Sequence, residues 1–541
     1  MWYNIYKKIK FEVDKMRKFN ITGLCVANKH YMVDISNKLT AIKKLVDEEE
    51  YFTINRGRQY GKTSTLFALE DFLKNDYNII SISFEGVGTT SFSSEDLFCQ
   101  MFLNKISDYL KMSGTSEEEC LKWLNNEIQS FDDLSIHIRN LCQISKKPYV
   151  LMIDEVDKTS NNTVFLNFLS KLRDKFLARA KGKDFTFHSV ILAGVYDIKN
   201  IKLKLVQEGS HVLLPNETTL NNSPWNIAID FKVDMSFSVS EIITMLDEYV
   251  KDHNTGMNKI DLAKEIYFYT TGYPVLVSRI CKYIDEEIKE WTQNGVKEAV
   301  KLITTEKENP LFLAISQNLE ASQDIYNLIY DVIILGARRT FSSTNPSISL
   351  AYRYGYISEK KGRVVIANKI FEIVMTDYFI SKDEIKNRII TNGSWFYDIT
   401  KTGKFNMEMC LQRFLIHWNE LYSIKQEKFL EKECRMIFLT YLKPLLNGVG
   451  FYFIESSFTD DRRMDVVVTY GSERFIIELK TWKGELYNDA GVNQLLGYMD
   501  KYNENKGYLV TFDFRKTKDV KTPSWTTYQN KKIFEVRVGG F

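Results

Sequence analysis

Clustered cysteine is missing from this sequence. The seven cysteines, at 25, 99, 120, 142, 281, 410 and 434, are scattered, odd in number and never in C-x-x-C spacing. A disulfide framework and a thiolate zinc site are both excluded, and a reducing cytoplasm is the expected compartment. Long apolar runs are missing too. No stretch approaches the roughly 20 residues of a membrane span, and the opening MWYNIYKKIKFEVDKMRKF is charged throughout, without the apolar centre of a signal peptide. No membrane partner is expected. Excess charge is also absent: 72 Lys and Arg against 70 Asp and Glu leave a net of +2. A nucleic-acid site must therefore be a local patch, because the whole chain offers no steering field. Internal repeats and low-complexity segments do not occur. What is present is 541 residues, 44% of them hydrophobic, enough for several cores and roughly three or four domains.

The most informative stretch is Tyr51-Phe52-Thr53-Ile54-Asn55-Arg56-Gly57-Arg58-Gln59-Tyr60-Gly61-Lys62-Thr63-Ser64. A β-type apolar run enters a polar turn, and the helix-favouring LFALEDFL leaves it. This is the layout of a phosphate-binding loop. Gly61 lets the backbone approach a phosphate, Lys62 reaches the β- and γ-phosphates, and the Thr63 hydroxyl, with Ser64 behind it, suits Mg²⁺ at the helix N-terminus. The usual first glycine is replaced by Arg56, with Gly57 one place late.

Further along, Ile79 to Phe84 reads as a strand, and 95–145 as helical material. The apolar run Tyr149 to Ile153 closes on Asp154-Glu155-Val156-Asp157. A buried strand ending in acids carries Asp154 to a sheet edge, where it can hold Mg²⁺ through water, and places Glu155 to polarise an attacking water. A helix over 164–180, a strand at Val190 to Val195, a strand over 226–231 and a helix opened by Ser240 and Glu241 follow. Asp197 is either a sensor of the γ-phosphate or a turn-forming residue. Thr270-Thr271-Gly272-Tyr273-Pro274 stops one helix and starts another. From 310 to 380 the order is helix, helix, hairpin, which suggests a winged helix. Arg338 and Arg339 are expected on its charged helix, with Lys360, Lys361 and Arg363 on the wing. Such a module either touches DNA phosphates or packs on the ATPase as a clamp.

A second chemical centre lies near the end of the chain. A helix from Phe429 to Leu446 precedes Asp460-Asp461-Arg462-Arg463-Met464-Asp465, then a strand over Val466 to Val468, a Gly471 turn and the strand Phe475 to Lys480. Glu478 and Lys480 are two apart and share a face, and Asp465 opens the partner strand. Two carboxylates beside a lysine suit a Mg²⁺ site that hydrolyses a phosphodiester. Arg462 and Arg463 stand where they could meet backbone phosphates. The plain alternative is a salt bridge on an edge hairpin.

The spacing Asp465, Glu478, Lys480 is that of the PD-(D/E)XK nuclease superfamily, which this region resembles, with Met464 at the nominal proline. The resemblance also picks out Gln494 and Tyr498 on a following helix, and Glu431 or Glu433 on the preceding one. Likewise Gly272-Tyr273-Pro274 resembles the lid motif of STAND and archaeal-type ATPases, whose proline, here Pro274, lies near the adenine. Through HYMVDIS, YFTINRGRQYGKTSTL, VLMIDEVD, MSFSVSEI, TTGYP and DDRRMDVVVTYGSERFIIELKTWKGE, nearly the whole chain resembles bacterial AAA-ATPase-like proteins with a C-terminal PD-(D/E)XK domain. In that family the loop commonly lacks its first glycine, so Arg56 is a family trait.

The resemblance implies an α/β multidomain chain. Its expected order is a lead-in (1–35), a P-loop core with a parallel sheet (36–232), a helical lid (233–308), a winged helix (309–381), a linker (382–424) and a nuclease-like domain (425–541). It implies ATP and Mg²⁺ as cofactors, with Arg56, Gly57, Gly61, Lys62, Thr63, Ser64, Asp154 and Pro274 binding nucleotide. Metal would sit at Thr63 and Asp154, and again at Asp465 and Glu478. Nucleic acid, DNA first, is the implied partner, with self-association through the ATPase. The function implied is a nuclease under nucleotide control, in genome defence or mobile-element biology. The rival expectation is a nucleotide switch whose C-terminal domain binds without cleaving.

Overall fold

The structure, a computed structural model, describes residues 17–113, 128–156, 163–195, 225–335, 337–387, 399, 404–422, 431–446, 450–456, 464–471, 473–515 and 522–539. Two compact units are present. One comprises Met1–Ala263, Gly272–Arg279 and Arg353–Gly355, and the other Lys264–Thr271, Ile280–Tyr352 and Tyr356–Phe541.

The first unit is built on β1 (Tyr51–Asn55), β2 (Asn78–Ser83), β3 (Tyr149–Asp154) and β4 (Ser189–Gly194). They pair in parallel in the order β1-β4-β3-β2. Parallel sheets are covered on both faces, which is why these runs are almost continuously apolar. Phe52, Ile54, Val150, Met152 and Ile191 point to the side of α1 (Ser36–Asp47) and α2 (Lys62–Leu73). Their alternates Tyr51, Leu151, Ile153, Val190 and Leu192 pack against α3 (Glu95–Met112), α4 (Phe131–Ile144) and α5 (Thr163–Ala180). From β1 the chain crosses to the far edge at β2 and returns through β3 and β4. That reversal opens a crevice at the carboxyl ends of the strands, where open α/β sheets bind ligands.

The strand expected over 226–231 is reduced to one parallel bridge, Ile229 to Phe52. The chain enters straight from a turn closed by Ala228 N–H on the Trp225 carbonyl, and Ile229 N–H then donates to the Tyr51 carbonyl at 2.9 Å. The next helices are α6 (Val239–Asp252), α7 (Lys259–Thr270) and α8 (Pro274–Tyr283). The cap of α6 is Ser238 rather than Ser240. Ser238 Oγ accepts from Glu241 N–H, and the Glu241 carboxylate accepts from Ser238 N–H. This reciprocal bond needs a spacing of three, which Ser240 lacks.

In the second unit, α9 (Gln293–Thr305), α10 (Pro310–Ala321), α11 (Gln323–Ile333) and α12 (Pro346–Arg353) lead to the hairpin β5 (Ile357–Lys360) and β6 (Arg363–Ile366). Its turn residues Lys361 and Gly362 have φ of 53° and 74°, the twist that two-residue hairpins require. Arg338 and Arg339 are not on a helix. α11 stops at Ile333, the Arg339 carbonyl accepts from Val364 N–H, and Thr340 bridges Arg363. Gly336 disfavours helix at that point, and pairing with the hairpin takes its place.

After α13 (Lys369–Asn387), α14 (Met407–Tyr422) and α15 (Glu431–Leu446) comes a six-stranded sheet. It contains β7 (Gly450–Ser456), β8 (Met464–Tyr470), β9 (Glu473–Thr481), β10 (Lys506–Asp513), β11 (Ser524–Tyr528) and β12 (Lys531–Gly539), in the order β11-β12-β10-β9-β8-β7. β7, β8 and β9 form an antiparallel meander, whereas β9, β10 and β12 run parallel. The crossover from β9 to β10 is α16 (Glu485–Lys501), whose Val492, Leu495 and Met499 cover Ile476, Leu509 and Ile533. On the opposite face Phe414 and Trp418 of α14 pack against Phe512.

Candidate nucleotide and metal sites

The turn between β1 and α2 is held by its own lysine. Lys62, only 7% exposed, donates from Nζ to the carbonyls of Arg56 and Gly57 at 3.0 and 3.1 Å. Gly61 has φ of 80°, a left-handed conformation that glycine adopts without strain, and α2 begins at the next residue. Gly57 is glycine for a different reason. A Cβ there would stand 2.5 Å from the Tyr354 carbonyl oxygen. Thr63 Oγ1 donates to Asp154 Oδ2 at 2.5 Å, so the first turn of α2 and the end of β3 meet. A hydroxyl and a carboxylate in contact are hard oxygen donors, the set that Mg²⁺ takes. Glu155 follows with φ of 55°, and its N–H donates to Asp154 Oδ1 at 2.9 Å. A non-glycine residue in this region is strained, as often happens where a side chain must be aimed. Ser64 Oγ accepts from Cys25 N–H at 3.2 Å and thus ties the loop to the lead-in. Arg56 turns away, donating to the Asn55 carbonyl at 2.9 Å, with its guanidinium 6.0 Å from the Phe231 ring.

Pro274 opens α8, and its Cβ lies 4.0 Å from where a side chain on Gly61 would begin. Tyr273 donates its hydroxyl to the Arg58 carbonyl at 2.6 Å and packs edge-on against Tyr60 at 4.5 Å. The Gly-Tyr-Pro turn is therefore seated on the loop.

In the carboxyl-terminal sheet Glu478 is fully buried and Lys480 is 2% exposed. Lys480 Nζ lies 2.7 Å from Glu478 Oε1 and donates to Gln494 Oε1 of α16 at 3.2 Å. A side chain on Gly491 would start 2.8 Å from Lys480 Cε, so this glycine admits the lysine beneath the helix. The β8–β9 ladder ends at Val466 opposite Ile477, one residue short of Asp465 and Glu478. The side chains of Asp465, Glu431 and Glu433, and all of Asp197, Arg462 and Arg463, lie outside the described residues.

The sequence profile of the AAA-like domain matches residues 24–301, just over half of the chain. The chain belongs to the AAA-like domain family. Curated proteins give no match. Among solved structures, the chain is similar to a Walker-type ATPase of Pyrococcus abyssi at 13% identity and a TM-score of 0.46, covering 66% of this chain and 99% of that one. It is also similar to the Aeropyrum pernix ORC2 protein at 11% identity and a TM-score of 0.37, covering 64% and 96%. A third is the Thermotoga maritima RuvB Holliday junction branch migration motor, at 12% and 0.31, covering 66% and 96%.

The AAA-like domain contains a feature that the sequence reading missed. A cavity of about 330 Å³ opens beside Gly61 and Ser64. Its walls include Tyr31, Met32 and Ile35 of the lead-in, Phe237, Met245 and Pro274. The lead-in is fastened by Arg17 on Asp252, by an Asp34 N–H bond to Thr244, and by Tyr31 packed at a tilt on Phe19 and edge-on to Tyr249. The available signal was Tyr31-Met32-Val33, an apolar run in otherwise polar surroundings. Among the described residues no helix is long and apolar enough to cross a membrane.

Proposed function

We propose that this chain is an ATP-regulated nuclease: its AAA-like domain binds and hydrolyses ATP, and this controls Mg²⁺-dependent cleavage of nucleic acid at Asp465, Glu478 and Lys480. The observation that carries the nucleotide half is the Thr63 to Asp154 contact of 2.5 Å beside the carbonyl-held Lys62. Phosphates would take over the Lys62 ammonium from the Arg56 and Gly57 carbonyls. Gly61 supplies the close backbone approach, and the cavity at Tyr31, Phe237 and Pro274 accepts the base. Glu155 polarises the attacking water. Mg²⁺ held at Thr63 and Asp154 would neutralise charge developing on the phosphates.

For the nuclease half, support comes from the buried Glu478, Lys480 and Gln494 cluster and from a β8–β9 ladder that ends next to both Asp465 and Glu478. Carboxylate oxygens of Asp465 and Glu478 would hold Mg²⁺, which activates water and polarises a phosphodiester. Lys480, steered by Gln494, positions that water or meets the charge on the phosphorane. A non-cleaving nucleotide switch is the second reading. It is favoured by the full burial of Glu478 and its closed ion pair with Lys480. The test compares cleavage of DNA and RNA by wild type, Lys62→Ala and Lys480→Ala across nucleotides and metals. Mg²⁺ binding that is abolished in Asp465→Ala supports the nuclease, and a wild type that binds no metal there supports the switch.

A further inference from the structure

A second basic cluster stands near Glu478 and Lys480 on the same face of the sheet. In register Lys480 of β9 pairs with Thr511 of β10, and Thr511 pairs with Arg537 of β12. Laterally paired residues share a face, so Arg537 lies two strands from Lys480, about 10 Å away at the usual strand spacing. Just past the end of β9, Trp482 N–H donates to the Phe512 carbonyl at 2.8 Å. The guanidinium carbons of Arg537 and Arg515 lie 4.2 and 4.7 Å from the centre of its ring.

Asp513, at the end of β10, organises the group. Its carboxylate accepts from Nε and Nη2 of Arg515 at 2.9 and 2.7 Å and lies 3.9 Å from Arg537 Nη1. Burial pushes its pKa up, but the bonds from Arg515 and the nearby charge of Arg537 hold it below the ordinary carboxylate value. Asp513 thus meets two guanidinium groups, one bonded to it and one nearby.

Arg537 is the unusual member. Its side chain is 17% exposed, and the Asp513 carboxylate, at 3.9 Å, is too far for a direct hydrogen bond. Glu535, one step along the same face, is taken by the Tyr528 hydroxyl at 2.8 Å. A planar guanidinium fork held against a ring, with part of its edge open to solvent, matches an oxyanion.

We propose that Arg537, Trp482 and Arg515 form a phosphodiester-binding subsite that seats a backbone phosphate of the nucleic-acid strand beside the Lys480 site. This deepens the nuclease reading and rests on it for the identity of the strand.

The test uses the full chain and a fluorescein-labelled single-stranded oligonucleotide, with anisotropy read in EDTA over a range of salt. Arg537→Gln should weaken binding at least about tenfold and lower the slope of log K against log salt by about 0.7. Arg537→Lys keeps the charge and should keep most of the slope, which separates lost contact from misfolding. Unchanged affinity and slope in Arg537→Gln would overturn the subsite. So would a wild type that binds inorganic phosphate in an Arg537-dependent way but no oligonucleotide. Cleavage of the same strand with Mg²⁺, measured in parallel, reports on the nuclease reading separately. A cutting enzyme with Arg537-independent binding loses only the subsite, and Arg537-dependent binding without cutting loses only the nuclease.

Discussion

Lys62 donates to the Arg56 and Gly57 carbonyls of the loop, so replacing it removes an ammonium aimed at the phosphate position. Lys62→Ala is expected to abolish ATP binding while the protein still melts cooperatively, read by calorimetric titration and thermal melting. Glu155→Gln keeps the oxygen but loses the base. ATP binding should persist, and turnover should fall by about 10²-fold or more. Gly57→Ala forces a methyl group onto the Tyr354 carbonyl at 2.5 Å. It should cost about 1–3 kcal/mol, seen as a lower melting temperature together with weaker ATP affinity. This contact also explains why the loop glycine stands at 57. The neighbour that requires it is some 300 residues away in the sequence, so composition and spacing could only register the glycine as late. Lys62, Thr63 and Asp154 were legible because each belongs to a short run whose period and charge have one ready explanation. The alliance of Arg537 with Trp482 was not, because register joins residues that no local pattern links.

At the scale of elements, the hairpin β5–β6 was legible from its turn, and the core strands from their burial. β1, β3 and β4 are continuous apolar runs bounded by polar turns, whereas the segment near Ile229 has no partner on its outer side among the described residues and keeps one bridge. The lead-in was unreadable as part of a site, since its role depends on helix α6 and the Gly-Tyr-Pro turn lying against it. The Gly-Tyr-Pro turn offers a sharp test. Gly272 has φ of 74°, and a side chain there would run into the Phe237 carbonyl at 1.9 Å. Gly272→Ala should therefore be more damaging than Gly57→Ala, lowering the melting temperature and opening the wall of the cavity that Phe237 forms. Weakened ATP binding alongside the lost stability is the expected reading by calorimetry, and a variant as stable as wild type would contradict the placement of this turn.

For the whole molecule, stability should depend on both pH and nucleotide. Asp184 accepts from Arg139 and Lys175 at 2.5 and 2.6 Å. Burial pushes its carboxyl up, but these bonds hold it below the ordinary carboxylate value. Because the folded value lies below the unfolded one, the stabilisation is complete above the unfolded pKa of about 3.9 and is lost as pH falls through the folded value. Asp184→Asn leaves Lys175 buried without its counter-charge and should cost about 3–5 kcal/mol at pH 7. The gap in melting temperature between wild type and variant should then narrow as the pH drops below 4 or so. ATP present at about a hundred times its dissociation constant should stabilise the AAA-like domain by about 2.7 kcal/mol, an effect absent in Lys62→Ala.

The central claim is that nucleotide at Lys62 governs phosphodiester hydrolysis at Lys480. One cleavage assay addresses it most directly: wild type, Lys62→Ala and Lys480→Ala incubated with DNA or RNA and Mg²⁺, with and without ATP. Wild type should cut in a manner that changes with ATP, Lys62→Ala should lose the response to ATP, and Lys480→Ala should turn over ATP without cutting. Cleavage by Lys480→Ala equal to wild type, or no cleavage by wild type under any nucleotide and metal condition, would contradict it.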